Sequence, residues 1–280
     1  MNRLYTLFQA LALVAASSCG GPQSTQSEES ADEATEEPAT AVPNGVFTYT
    51  ADTINMQGYF ATKVEGDQKV PGVLVIHEWW GHNDYARQRA DMLADLGYVA
   101  FALDMYGDGQ VADHPEDAGK FAGMVMSNID VAKQKFEAAL EALKNHPQVD
   151  ASKIAAIGYC FGGTVAMNMA NAGYDLDAVA AFHSGLNFPI KAETAPGAKI
   201  LVCNGADDPF IPAESIDAFK TTMDAVGADY EYVAYEGAVH SFTSKEADAN
   251  GEKFGLPLAY NAEADAASWQ KMQELFASVF

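Results

Sequence analysis

The chain has 280 residues, a formal net charge of −23 from 16 basic and 39 acidic side chains, 49% hydrophobic residues and three cysteines. Less a polar tail, that length suffices for one large core and gives no reason to divide the chain. So few Lys and Arg argue against a nucleic-acid partner, whose phosphates demand cations, and three cysteines are too few for a disulfide scaffold.

Residues 1–18 read as an export signal. Arg3 supplies the positive start, and residues 4–16 form a mostly apolar run, shorter than the roughly 20 residues a spanning helix needs. Ala15-Ala16-Ser17-Ser18 then lead into Cys19, which looks like a bacterial lipoprotein signal, cleaved before a Cys that carries the lipid. An ordinary secretory signal with an incidental Cys is the alternative. Residues 20–44 hold six acidic residues, no basic one and no aromatic, so they cannot bury enough apolar surface to offset their ordering entropy. The expectation is a lipid-anchored acidic linker over 19–44 that tethers a domain of residues 45–280 to a membrane, facing the periplasm or cell surface.

From residue 46 onward strands alternate with helices. Residues 46–50 and 59–64 suggest an opening hairpin. Residues 70–77 are a nearly continuous apolar run, as a buried strand should be, and Glu78-Trp79-Trp80-Gly81 follow at its carboxyl end. A carboxylate there, among apolar neighbours, would have a raised pKa and could exchange a proton with a nearby thiol; a solvent-facing loop residue is the plainer reading. Residues 86–96 have helical spacing and stop at Gly97. Next come a strand over 98–103, a helix over 131–144 and a strand over 154–158. The pattern implies a mostly parallel central sheet with helices on both faces, and reactive groups at the carboxyl ends of its strands.

The strand over 154–158 runs into Gly158-Tyr159-Cys160-Phe161-Gly162-Gly163 and a helix over 163–171. A nucleophile at a tight strand-to-helix turn needs small neighbours two residues before and after it, and Gly158 and Gly162 meet that demand. Cys160 would also sit at the helix amino end, whose dipole favours a thiolate. A buried structural Cys beside a packed turn is the alternative.

Strands over 178–183 and 199–204 follow, the second ending in Gly205-Ala206-Asp207-Asp208-Pro209. Asp208 suits the acid loop better than Asp207, which reads as a turn residue. After a helix over 213–226 and a strand over 230–235 comes His240, in a loop past the last strand, where a base belongs. The order nucleophile, acid, base is that of α/β-hydrolases. A helix over 262–280 closes the chain. His77 and His183 read as structural. No His, Asp or Glu cluster has metal-ligand spacing, and no cofactor is expected.

Together, His77-Glu78-Trp79-Trp80-Gly81, Gly158-Tyr159-Cys160-Phe161-Gly162-Gly163, Asp208-Pro209-Phe210-Ile211-Pro212 and His240-Ser241-Phe242 resemble the dienelactone hydrolase family of the α/β-hydrolase fold, across nearly all of residues 46–280. The resemblance implies Cys160 as nucleophile, His240 as base, Asp208 as its orienting partner, and Glu78 as a carboxylate in contact with the resting thiol. It implies an oxyanion hole from the backbone N–H groups of Trp79 and Phe161, and hydrolysis of a small-molecule ester or lactone through a thioester. Trp79, Trp80, Tyr85 and Phe161 are candidates for an aromatic pocket, with core packing as the alternative.

Members of the family that open the dienelactone ring hold the substrate carboxylate with two arginines, one shortly after the tyrosine that follows the strand over 98–103, the other four residues after the base. Here those stretches read Tyr106-Gly107-Asp108 and His240-Ser241-Phe242-Thr243-Ser244. Arg87 or Arg89 could substitute for those arginines, but each is expected on an exposed helix face. An anionic dienelactone is therefore not the expected substrate. Two other readings stay open: a non-catalytic ligand-binding lipoprotein on the same fold, and a hydrolase of thioesters or peptide-like bonds.

Overall fold

The structure, a computed structural model, describes residues 42–280; the export segment, Cys19 and the linker up to residue 41 lie outside the described residues. Eight strands form one sheet: β1 (Gly45–Ala51), β2 (Ile54–Ala61), β3 (Val70–Ile76), β4 (Val99–Leu103), β5 (Val149–Tyr159), β6 (Ala178–Phe182), β7 (Lys199–Gly205) and β8 (Tyr230–Tyr235). Their order is β1-β2-β4-β3-β5-β6-β7-β8. Only the β1–β2 and β2–β4 pairings are antiparallel; every pairing from β4 to β8 is parallel. This is the α/β-hydrolase arrangement.

Strand alternation sends consecutive side chains to opposite layers. Leu74, Ile76, Phe101, Leu103, Val179 and Val202 join one apolar cluster, while Val73, Val75, Ala100, Ala102, Ala180 and Leu201 join the other. Helices α3 (Ile129–Lys144), α4 (Phe161–Asn171) and α5 (Ala213–Val226) supply the first layer. The second comes from α1 (Asp84–Asp95) and α7 (Ala262–Val279). Both faces of the sheet are thus covered, which explains why β3 to β7 are nearly continuous apolar runs.

Most element boundaries follow the sequence pattern to within two residues, but β2 spans Ile54–Ala61 where a strand is expected over 59–64, β5 begins at Val149 and not at 154, and two helices are additional. Helices α2 (Pro115–Ser127) and α6 (Ala247–Phe254) were not legible beforehand. Gly119 and Gly123 each lower the intrinsic helicity of α2, and its ordering comes from the His114 ring accepting from Glu116 N and from the packing of Ala118 and Val125. In α6 only Ala247 and Gly251 are buried, so no apolar period marks it. Of the two, α2 borders the site through Ala122 and Met126, and Leu256 and Leu258 line it just beyond α6.

Candidate active site

The end of β5 turns into α4 through Cys160, at φ 52° and ψ −116°. A side chain in that region costs about 1–3 kcal/mol and persists only where its surroundings impose it. Here they do. A Cβ on Gly158 would lie 2.2 Å from Gly162 O, and one on Gly162 would lie 2.3 Å from Ile76 O and 2.6 Å from His77 O. The turn therefore presses on its own strand and on the end of β3. That contact brings the 77–79 segment against the turn that carries Cys160.

His240 Nε2 lies 3.2 Å from Cys160 Sγ, and His240 Nδ1 donates to Asp208 Oδ2 at 2.7 Å. Asp208 Oδ1 also accepts from Phe210 N, which fixes the carboxylate's orientation. Burial opposes a proton on His240, but Cys160 and Asp208 on either side outweigh it and raise its pKa well above the usual imidazole value. A charged imidazole between a thiol and a carboxylate favours the thiolate by opposite-charge attraction. The Phe210 ring meets His240 edge-on, with centroids 5.1 Å apart.

Glu78 does not contact Cys160 in this arrangement. Ser241 Oγ donates to Glu78 Oε1 at 3.1 Å, and His183 Nε2 lies 3.9 Å from the same oxygen. The thiol's polar neighbour is His240. The expectation of a resting Glu78–thiol contact is corrected accordingly, because Ser241 competes for the carboxylate. Burial pushes the Glu78 carboxyl up to about 7, against the pull of His240, the Ser241 bond and Arg89.

Beside the thiol opens a cavity of about 400 Å³ walled by Trp79, Phe161, Met126, Ile211, Leu256 and Leu258 among others. Trp80 and Tyr85 are not in this wall. Trp80 stacks on Phe254 instead, and the Tyr85 hydroxyl is drawn under the base loop by Thr243 Oγ1, 2.6 Å away. Adjacent residues on a turn point in different directions, so of the paired tryptophans only Trp79 reaches the cavity. Among the described residues, neither Trp79 N–H nor Phe161 N–H donates to another group. Both are free to receive an oxyanion.

Among the described residues, no Lys or Arg lines the cavity. Arg87 is taken up by Asp84 and His82 O. Arg89, expected at the surface, is buried: its guanidinium donates to Asp265 Oδ1 and to Thr243 O, each at 2.7 Å. The signal was present in the pattern, since Arg89 stands three residues after Ala86 and four before Leu93, both buried on the same face. Thr243 also contacts His183 Nε2 at 2.7 Å. The sequence sets Ser241 beside His240 but shows neither its bond to Glu78 nor the contacts of Thr243, because a short hydroxyl leaves no mark of its partner. Cys203 lies in β7, two strands from β5, at whose end Cys160 stands, and both of these cysteines are free. Among the described residues, no group of three or more His, Cys, Asp or Glu could hold a metal ion.

Comparison with known proteins places this site in context. A model of the dienelactone hydrolase family matches residues 56–280. A protein of Aquifex aeolicus (strain VF5), provisionally named a carboxymethylenebutenolidase, is 34% identical over 200 residues, 69% of this chain and 84% of that one. Protein usf of Aquifex pyrophilus is 33% identical over 199 residues, with the same coverage. Among solved structures, a dienelactone hydrolase-like promiscuous phosphotriesterase from metagenomic libraries shares 36% identity at a TM-score of 0.77, covering 86% of this chain and 99% of its own. An esterase of Thermogutta terrifontis, at 18% identity and a TM-score of 0.56, shares the fold over 84% of this chain and 94% of its own.

Proposed function

Because this chain belongs to the dienelactone hydrolase family and is a carboxylic ester or lactone hydrolase, we propose that Cys160, His240 and Asp208 are its catalytic triad and that it acts through an acyl-enzyme thioester. One observation carries this reading: His240 bridges Asp208 at 2.7 Å and Cys160 at 3.2 Å, beside the apolar cavity.

The Cys160 thiolate attacks the carbonyl carbon and forms a C–S bond, while the carbonyl electron pair moves to oxygen. The N–H groups of Trp79 and Phe161 receive that oxyanion; such donors typically contribute roughly 2.7–4 kcal/mol each. Collapse expels the alcohol oxygen, which takes the proton from His240 Nε2. Water then gives a proton to His240 and attacks the thioester, and the carboxylic acid leaves as the thiol is restored. Asp208 holds the imidazole in the tautomer and orientation both halves need.

The preferred substrate is a neutral ester or lactone with an apolar acyl or alkyl group. Apart from His240, the cavity presents mostly hydrocarbon and aromatic walls with no Lys or Arg, so a carboxylate brought into it would lose hydration without gaining an arginine or lysine partner. A neutral phosphotriester, the class named for the 36%-identical relative, satisfies the same criterion. Residues 1–44 further support export and anchoring through a lipid on Cys19, the only cysteine of the leader region. Loss of radiolabelled fatty acid from a Cys19→Ala chain in a bacterial host tests the anchor; label that persists overturns it.

The test of the enzyme is turnover of 4-nitrophenyl esters, neutral and anionic enol-lactones and a neutral phosphotriester, with Cys160→Ala alongside. Turnover that disappears in the variant and favours neutral substrates is expected. Turnover that survives the substitution removes the nucleophile.

A further inference from the structure

His77 ends the segment that leads into the site and touches no solvent. Its ring makes two hydrogen bonds that together dictate its tautomer. Met105 N lies 3.1 Å from Nε2, and an amide can only donate, so Nε2 must be the bare, accepting nitrogen. Nδ1 lies 2.6 Å from Glu78 O, and a carbonyl can only accept, so Nδ1 carries the hydrogen. Burial also disfavours a second proton on the ring.

The carbonyl of Glu78 and the N–H of Trp79 belong to one peptide unit. In a trans peptide these two groups are coplanar and point in opposite directions. Whatever holds the carbonyl therefore aims the amide. Gly81 N also donates to Glu78 O, at 3.1 Å, so the oxygen is gripped from two sides. A donor on the carbonyl polarises the peptide and strengthens its N–H as a donor. The same His77 ring packs against Phe161, with centroids 5.8 Å apart and planes 26° from parallel, and against Tyr106 at 4.7 Å. Tyr106 in turn donates its hydroxyl to Trp79 O at 2.7 Å. One buried imidazole thus braces both residues whose amides form the oxyanion hole.

We infer that His77 is a positioning residue for the oxyanion hole, its Nδ1–H aiming the Trp79 amide through the Glu78 carbonyl. This rests on the Cys160 reading above. It is separable from that reading because thiol alkylation and acyl transfer place different demands on the site. Alkylation of Cys160 by iodoacetamide displaces iodide and develops no oxyanion, so it needs the thiolate but not the Trp79 amide. Acyl transfer needs both.

Two variants divide the ring's two bonds. His77→Gln keeps a group able to reach Met105 N at the Nε2 position and loses the donor at Nδ1; His77→Asn keeps the Nδ1-like donor. For His77→Gln, kcat/KM on 4-nitrophenyl butyrate is expected to fall about tenfold or more. Affinity for a trifluoromethyl ketone, which forms a tetrahedral hemithioketal oxyanion on Cys160, should fall in step. The alkylation rate should stay that of the parent, and His77→Asn should retain most turnover. Unchanged turnover and ketone affinity in His77→Gln overturns the inference, as does alkylation that falls in parallel with turnover. Nitrogen-15 histidine spectra of the unaltered protein provide a check independent of any variant's folding: a His77 Nδ1–H tautomer is expected, and Nε2–H overturns it. A Cys160→Ala chain that still turns over substrate overturns the triad reading, and this inference with it.

Discussion

Ser241 Oγ donates to Glu78 Oε1 at 3.1 Å, so the residue directly after His240 holds the buried carboxyl away from Cys160. Ser241 reaches it from a left-handed conformation, φ 58°. His240 and the Glu78 carboxyl are thereby linked through Ser241, and a change at either is felt by the other.

Glu78 gives the fold a specific pH dependence. Its pKa in the folded chain is raised by burial from 4.5 to about 7. A carboxyl whose folded value lies above its unfolded value contributes stability that is complete below about 4.5 and is lost as pH rises through about 7. That interval corresponds to about 3–4 kcal/mol at most. Urea unfolding of Glu78→Gln against the parent should show the variant losing less stability between pH 5 and 8. Parallel curves would mean that Glu78 is not charging in a buried site.

Asp208→Asn keeps the volume and removes the anion beside His240 Nδ1. Without it the imidazolium is less favoured, so the thiolate is populated only at higher pH. The rise of Cys160 alkylation with pH should move upward, and kcat/KM should fall by up to about 10⁴-fold. A parent-like alkylation profile would show that Asp208 does not act on the His240–Cys160 pair.

Two glycine substitutions should act in opposite directions. Gly162→Ala forces a Cβ to 2.3 Å from Ile76 O, a backbone atom that cannot step aside, and should cost at least about 3 kcal/mol. Gly119→Ala in α2 meets nothing within 4 Å and should stabilise by about 0.5–1 kcal/mol. Thermal melts of the two variants decide the point.

Arg89→Met leaves the Thr243 carbonyl without its guanidinium donor and Asp265 without its charge partner. Breaking a buried pair on one side typically costs about 3–5 kcal/mol. Adding Asp265→Asn should recover part of that loss, because the stranded charge is gone. A double-mutant cycle in urea measures the coupling, and additive losses would argue against it.

Ala122→Phe places an aromatic ring at the cavity wall formed by α2. The selectivity for 4-nitrophenyl octanoate over acetate should fall by about tenfold or more, as expected when a few methylenes lose their apolar contacts. Unchanged chain-length preference would place the acyl group elsewhere.

Much of this protein is determined by local pattern. Alternation and continuous apolar runs specify the strands, because side chains of a doubly covered sheet must be apolar on both faces. Gly158 and Gly162 mark the turn at Cys160, because no other residue fits against the backbones that press on it. The placing of Asp208 and His240 after successive strands is legible for the same topological reason. The three-dimensional packing decides what has no period of its own. It brings Arg89 inward to a carbonyl 154 residues away, assigns Glu78 to Ser241, turns Trp79 into the cavity and Trp80 onto Phe254, and lays α2 along the cavity wall. Those outcomes depend on which polar groups find partners once water is excluded, and partners distant in the chain leave no mark on the residues between them.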